Sequence, residues 1–132
     1  MPSVDPLARR AALSLGAART GLGVGALFVT GPTLKALLFG ETDAVGRALA
    51  KLAGGRDLAL GLATLAAHED PAALRRLTLA ATVLDAADAV SLSMAARQPG
   101  SRLGAIGGVL SAGGAALAGA LTWRRLAAEV SP

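Results

Sequence analysis

Leu84-Asp85-Ala86-Ala87-Asp88 places two carboxylates three residues apart inside a run, 77–96, that carries no other charge. On a helix, residues i and i+3 share a face, so both acids point the same way. In lipid an unpaired carboxylate is expensive, so such groups face the protein interior and find partners. Three other charged residues sit in the middle of apolar segments: Arg19 and the adjacent pair Arg56-Asp57. If the segments cross a bilayer, all five meet near mid-depth.

Composition points the same way. The 132 residues are enough for one domain; 53% are hydrophobic, 2% are aromatic and 17 are glycine. A water-soluble helical domain of this size needs large core residues, and Phe and Trp are almost absent here. Small residues instead suit close backbone approach in a bilayer, where packing drives helix association. The mean hydropathy of +0.55 agrees.

The composition also excludes chemistry. There is no cysteine, which removes disulfides, thiolate metal sites and dithiol redox reactions. One histidine, His68, cannot build a histidine metal site, and nothing calls for a cofactor. The net charge of +4 comes with arginine pairs at 9–10, 75–76 and 124–125 that flank apolar segments, without aromatics to stack bases. Anionic lipid headgroups explain them better than nucleic acid.

Four long helices are expected, over about 6–29, 43–67, 71–96 and 102–123. Asp5-Pro6 starts the first, Thr42 or Asp43 caps the second, and Asp70-Pro71 starts the third. The turn Gln98-Pro99-Gly100-Ser101 supplies Ser101 as cap for the fourth. Segment 103–123 carries no charge and spans roughly 30 Å, with Trp123 and Arg124-Arg125 as an interface anchor. The stretch 30–40 reads as an interfacial half-helix or as a loop, with Leu34, Leu37, Leu38 and Phe39 as its apolar residues.

Each helix divides into faces. Ser14, Ala17, Gly21, Gly25 and Phe28 form a small-residue ladder on the first, with Arg19 nearly opposite beside Leu15, Gly23 and Ala26. Gly46, Ala50, Ala53, Gly54, Asp57, Gly61, Thr64 and His68 line one side of the second. Leu52, Ala59, Leu62 and Ala66 face lipid on the other side. Arg56 lies on the flank with Leu49 and Leu60. Lys51 and Arg56-Asp57 weaken its hydropathy, so this helix enters a membrane only alongside its neighbours. On the third, Leu79, Val83, Ala87, Val90 and Met94 oppose Thr78, Thr82, Asp85 and Asp88. On the fourth, a ladder of Gly104, Gly108, Ala112, Ala115 and Gly119 opposes Leu103, Ile106, Leu110, Leu117 and Leu121. The threonines are expected to bond their own backbone, and His68 to be solvated. The small ladders of the first or fourth helix suit a homo-oligomer contact.

The first apolar segment is expected to remain as an anchor, because Asp5-Pro6 precedes the arginines and no clean cleavage site follows. The fold class is all-α, an integral membrane four-helix up-down bundle. The arginine bias puts both termini in the cytoplasm of a bacterium with the bundle in its inner (plasma) membrane.

The cluster of Arg19, Arg56, Asp57, Asp85 and Asp88 carries one surplus negative charge when all are ionised. Protonation of one acid or binding of a cation removes it. Asp85 and Asp88 are the natural pair to share a proton, and Asp57 to orient an arginine. The leading expectation is binding of a proton, an ion or a small polar or amphiphilic ligand, with Arg19 and Arg56 holding anionic groups. A second is a membrane-embedded acid–base enzyme of isomerase or cyclase type, using Asp85 and Asp88 on a lipophilic substrate. A third is an accessory subunit whose ion pairs only fix helix register.

At Gly54-Gly55-Arg56-Asp57-Leu58-Ala59-Leu60-Gly61 and Leu84-Asp85-Ala86-Ala87-Asp88, the chain resembles a family of small, chiefly actinobacterial membrane proteins of unknown function. Its layout is similar to the DoxX-like four-helix membrane proteins. The resemblance implies a four-helix membrane fold and no settled activity. Some DoxX-like relatives are linked to quinone-coupled or thiol redox chemistry, of which the thiol form is out of reach without cysteine.

Overall fold

A computed structural model describes residues 5–37, 39, 43–97 and 102–128. Among these the chain is all-helical, with five helices: α1 (Pro6–Phe28), α2 (Thr30–Ala36), α3 (Ala44–Ala66), α4 (Pro71–Ala95) and α5 (Arg102–Ala128). The alternative cap Thr42, Leu38, the turn at 98–101 with its cap Ser101, and the side chain of Leu103 lie outside the described residues.

Three of the helix starts follow from aspartate caps, whose carboxylates satisfy backbone N–H groups that have no partner within the helix. Asp5 accepts from Leu7 N at 2.9 Å, Asp43 from Gly46 N at 2.7 Å and Asp70 from Ala73 N at 2.9 Å. Pro6 and Pro71 occupy the first position of α1 and α4, where a missing N–H costs nothing.

Two boundaries depart from expectation. The chain breaks at Val29, at φ −130° and ψ 48°, and at once resumes as α2. Pro32 is the third residue of α2, inside the first turn, so the helix tolerates it. Leu34, Leu37 and Phe39 then turn inward and line a cavity, so this segment is more than a headgroup-level half-helix. At the other end α5 continues past Trp123 to Ala128. The reason is Leu126, which is 4% exposed and packs with Ala8, Ala12 and Leu74 into a small apolar cluster. Arg75 of α4 stacks over the Trp123 ring, 5.7 Å from its centroid, at this same end.

Tertiary packing makes two tight pairs, α1 with α3 and α4 with α5; α1 against α5 is the broadest of the contacts between them. The α1–α3 pair is close enough for backbones to touch. A Cβ on Gly23 would lie 2.5 Å from Leu58 N and 2.6 Å from Gly54 O, and one on Gly16 would lie 2.9 Å from Thr64 Cγ2. Gly16 and Gly23, like Gly54 and Gly61, stand seven residues apart, which is the repeat of a seam between two slightly supercoiled helices. In α5, Gly108 and Gly119 play this part against Leu92 and Thr82 of α4.

Helices α3 and α4 are joined by a four-residue connection yet touch along only a short stretch. His68, in that connection, is exposed, as expected, and its carbonyl accepts from Arg9 Nε at 2.9 Å. The seam between α3 and α4 therefore stays open over much of its length.

Three helices are long and apolar enough to cross a membrane: α1, α4 and the Gly104–Ala127 part of α5. Only 17–22% of the most apolar stretch of each is buried within the chain. Leu79, Val83, Val90 and Met94 of α4 and Ile106, Leu110, Leu117 and Leu121 of α5 are all exposed. Apart from Leu74 and Leu126 at one end, the buried side chains are small or polar, among them Ala8, Ala12, Ala81, Ala105, Thr64, Thr78, Thr122 and Asp85. That inversion of a water-soluble protein's usual pattern fits lipid as the solvent. Charged residues interrupt α3, which falls outside the three candidate spans. Its Leu52 and Leu62 are nonetheless exposed on the side expected to face lipid.

Of the small-residue ladder expected on α1, only Gly25 packs inside the chain, where a Cβ would lie 2.8 Å from Thr33 Oγ1 of α2. Ser14, Ala17, Gly21 and Phe28 are exposed, and a Cβ on Gly21 would meet nothing within 4 Å. The working face is Ala8, Ala12, Gly16 and Gly23. On α5 the ladder is used within the chain, where Gly108 and Gly119 are buried against α4.

Candidate functional site

The five charged side chains singled out from sequence come together, and they do so in alternating order. Asp85 of α4 pairs with Arg19 of α1 through Nη2. Arg19 Nη1 lies 3.0 Å from Asp57 Oδ1 of α3. The same Asp57 oxygen is 3.5 Å from Arg56 Nη2, and Arg56 holds Asp88 of α4 by both terminal nitrogens, at 3.2 and 2.6 Å. The result is a ladder, Asp85–Arg19–Asp57–Arg56–Asp88, negative at both ends.

Helix geometry explains the order. Asp85 and Asp88 sit on one face of α4 about one turn apart, so they present two carboxylates along the helix axis. Arg56 and Asp57 are turned about 100° from one another on α3. Asp57 therefore faces α1 while Arg56 reaches across the open seam to α4. Arg19, on the only charged face of the α1 interior, fits between Asp57 and Asp85. Its Nη2 also donates to the Ala81 carbonyl at 3.4 Å.

The two ends of the ladder differ in exposure. Arg19 and Asp85 side chains are 11% and 9% exposed, whereas Arg56 and Asp88 are 31% and 40% exposed. One end is sealed inside the α1–α3–α4 junction; the other lies in the seam. The Nε of Arg56 is buried with no partner among the described residues.

Asp85 and Asp88, expected to share a proton, are each held by a different guanidinium. The terminal nitrogens of both arginines are already on carboxylates, which leaves Arg56 Nε as the buried donor without a partner among the described residues. Among the described residues no group of three or more His, Cys, Asp or Glu side chains converges as a metal site would require.

The ladder forms part of the wall of a cavity of about 710 Å³ between the two helix pairs. Its five members are the only charged residues lining the cavity among those described. The rest of the wall is apolar or small, with Leu15, Leu22, Leu49 and Leu92 from the long helices and Leu34 and Phe39 from the α2 region. Ser91 and Ser111 add hydroxyls near the Asp88 end, Ser91 bonding Ala87 O of its own helix at 2.9 Å. Thr64, Thr78 and Thr82 bond the carbonyl four residues back, at 2.8, 2.8 and 2.7 Å. They keep their polar groups satisfied inside apolar packing.

Sequence reasoning found the charges but not the apolar wall that the α2 region adds to the cavity beside them. The inward turn of Leu34, Leu37 and Phe39 has a faint signal in the Val29–Pro32 break. The part of the Ala81 carbonyl has none, since every residue carries one. Comparison of the chain with known protein families, characterised proteins and solved structures finds no match.

Proposed function

We propose that this protein crosses the membrane four times, through α1, α3, α4 and α5, and holds a small amphiphilic ligand in the cavity beside the charged ladder. Support for the ligand comes from one observation: a roomy apolar chamber with a single strip of charge in its wall. Sites for small organic molecules have this composition, with mostly apolar walls and a few convergent polar groups, in the range of about 300–1,000 Å³. An ion-pair network needed only to fix register would pack without the chamber. The ladder still performs that work, since it ties the α1–α3 pair to the α4–α5 pair.

The four-span layout is the one the DoxX-like resemblance implies. Helix α3 spans in the company of its neighbours, its charges turned into the ladder rather than to lipid. The arginine pairs at the starts of α1 and α4 and near the end of α5 favour both termini on the cytoplasmic side of a bacterial plasma membrane. Self-association is proposed for the exposed Ser14–Ala17–Gly21 face of α1 alone, because the α5 ladder is occupied within the chain.

The test fills the chamber. Ser111 is exposed yet lines the cavity, so a Ser111→Trp change intrudes there with little effect on helix packing. Native mass spectrometry of protein released from neutral detergent is expected to show a bound small molecule in the wild type. It should be absent from the variant, whose melting temperature is unchanged. An identical spectrum from both proteins would contradict ligand binding in the chamber.

A further inference from the structure

The charge balance of the chamber names a ligand class, granted that the chamber binds a ligand at all. Its described lining holds three carboxylates and two guanidiniums, so with all five ionised the wall carries one surplus negative charge. No compensating cation lines it among the described residues. In a cleft with low-dielectric walls a fixed charge is felt strongly, because there is little solvent to screen it.

The distribution of hydrogen bonds sharpens the sign. An anionic headgroup would need donors, but the terminal nitrogens of Arg19 are on Asp57, Asp85 and the Ala81 carbonyl. Those of Arg56 are both on Asp88. The buried donor without a partner among the described residues, Arg56 Nε, offers an anion a single N–H on a guanidinium that Asp88 already neutralises. A cation needs no donor. Asp88 ends the ladder, is its most exposed member, and uses one lone pair on each oxygen for Arg56. An ionised carboxylate accepts about four hydrogen bonds, so further capacity is left. Ser91 and Ser111 line the same region.

The size of the cation follows from the remaining wall. A small inorganic ion must replace its hydration shell with several converging oxygens, and the carboxylates here do not converge. An organic cation brings its own apolar bulk to meet the leucine-lined wall. We propose that the chamber is selective for lipophilic monocations, an amine-derived or quaternary head on an apolar body, with the head at Asp88. The open α3–α4 seam, where Asp88 and Arg56 stand, gives such a molecule a path from the bilayer.

Tetraphenylphosphonium and tetraphenylborate have nearly the same shape and opposite charge, and triphenylphosphine oxide is a neutral relative. Binding of each to the wild-type protein in phosphatidylcholine nanodiscs, with empty nanodiscs subtracted, separates the cases. Saturable phosphonium binding at least roughly tenfold tighter than that of the other two is expected. Asp88→Asn removes the surplus charge and should weaken phosphonium binding roughly tenfold. Arg56→Gln, which frees Asp88 and adds to the surplus, should tighten it. Borate or the neutral compound binding as tightly as the phosphonium overturns the cation assignment while leaving the chamber a ligand site. Absence of binding by all three overturns both. Parallel losses in Asp88→Asn and Arg56→Gln would also overturn it, since they would reflect packing rather than charge.

Discussion

Gly23→Leu is expected to separate α1 from α3 and to abolish accumulation of the folded protein. The atoms in the way, Leu58 N at 2.5 Å and Gly54 O at 2.6 Å from the new Cβ, belong to backbone and cannot swing aside. A methyl group forced into such packing costs about 1–3 kcal/mol, and an isobutyl group more. That is a large share of the 5–15 kcal/mol or so that usually separates folded from unfolded chains. Gly55→Leu on the facing helix α3 is the control, because nothing lies within 4 Å of its Cβ position. Melting of the two variants in mild detergent checks the assignment of faces. If both melt alike, the α1–α3 seam has been misplaced.

The second large effect belongs to Arg19. Arg19→Leu leaves Asp85, 9% exposed, without its guanidinium, and strands Asp57 with only the longer contact to Arg56. Removing one partner of a buried ion pair typically costs about 3–5 kcal/mol, mostly from the uncompensated charge left behind. The double variant Arg19→Leu/Asp85→Leu removes that orphan and should be more stable than Arg19→Leu alone. Arg19→Lys should recover only part of the loss, since one ammonium cannot hold Asp57 and Asp85 with a fork of two nitrogens. A double-mutant cycle measured by thermal melting reads the coupling. Simple additivity of the two single changes would mean that the pair does not form.

Much of this arrangement is legible in the residues themselves. Aspartate followed by proline marks the starts of α1 and α4, and the split of α4 into Thr78, Thr82, Asp85 and Asp88 against Leu79, Val83, Val90 and Met94 orients it without further help. The five charges converge because a carboxylate or guanidinium amid apolar residues has nowhere else to go. Two things were not legible. Helix α1 is lined with small residues on more than one side, so spacing alone does not say whether Gly21 or Gly23 meets a partner. Only the matching seven-residue interval, Gly16 to Gly23 and Gly54 to Gly61, distinguishes them, and it requires knowing that α1 packs on α3. The pairing within the ladder was hidden for a similar reason. Asp85 and Asp88 are neighbours on their own helix, but their partners arrive from two others.

Helix α3 carries the weight of the whole account, being the long helix outside the three candidate spans and the donor of Arg56 and Asp57. With no native cysteine in the way, single cysteines at Leu52 and Leu62 can carry nitroxide spin labels in proteoliposomes, with Leu110 of α5 as the lipid-facing reference. Collision rates with oxygen, which concentrates in lipid, are compared with those of a water-soluble nickel chelate. The expected result is high oxygen and low nickel accessibility at all three positions, whose residues are 71%, 52% and 70% exposed on the outer surface. Nickel accessibility at Leu52 and Leu62 matching that of free label in water would put α3 outside the bilayer and contradict a charged ladder sheltered within it.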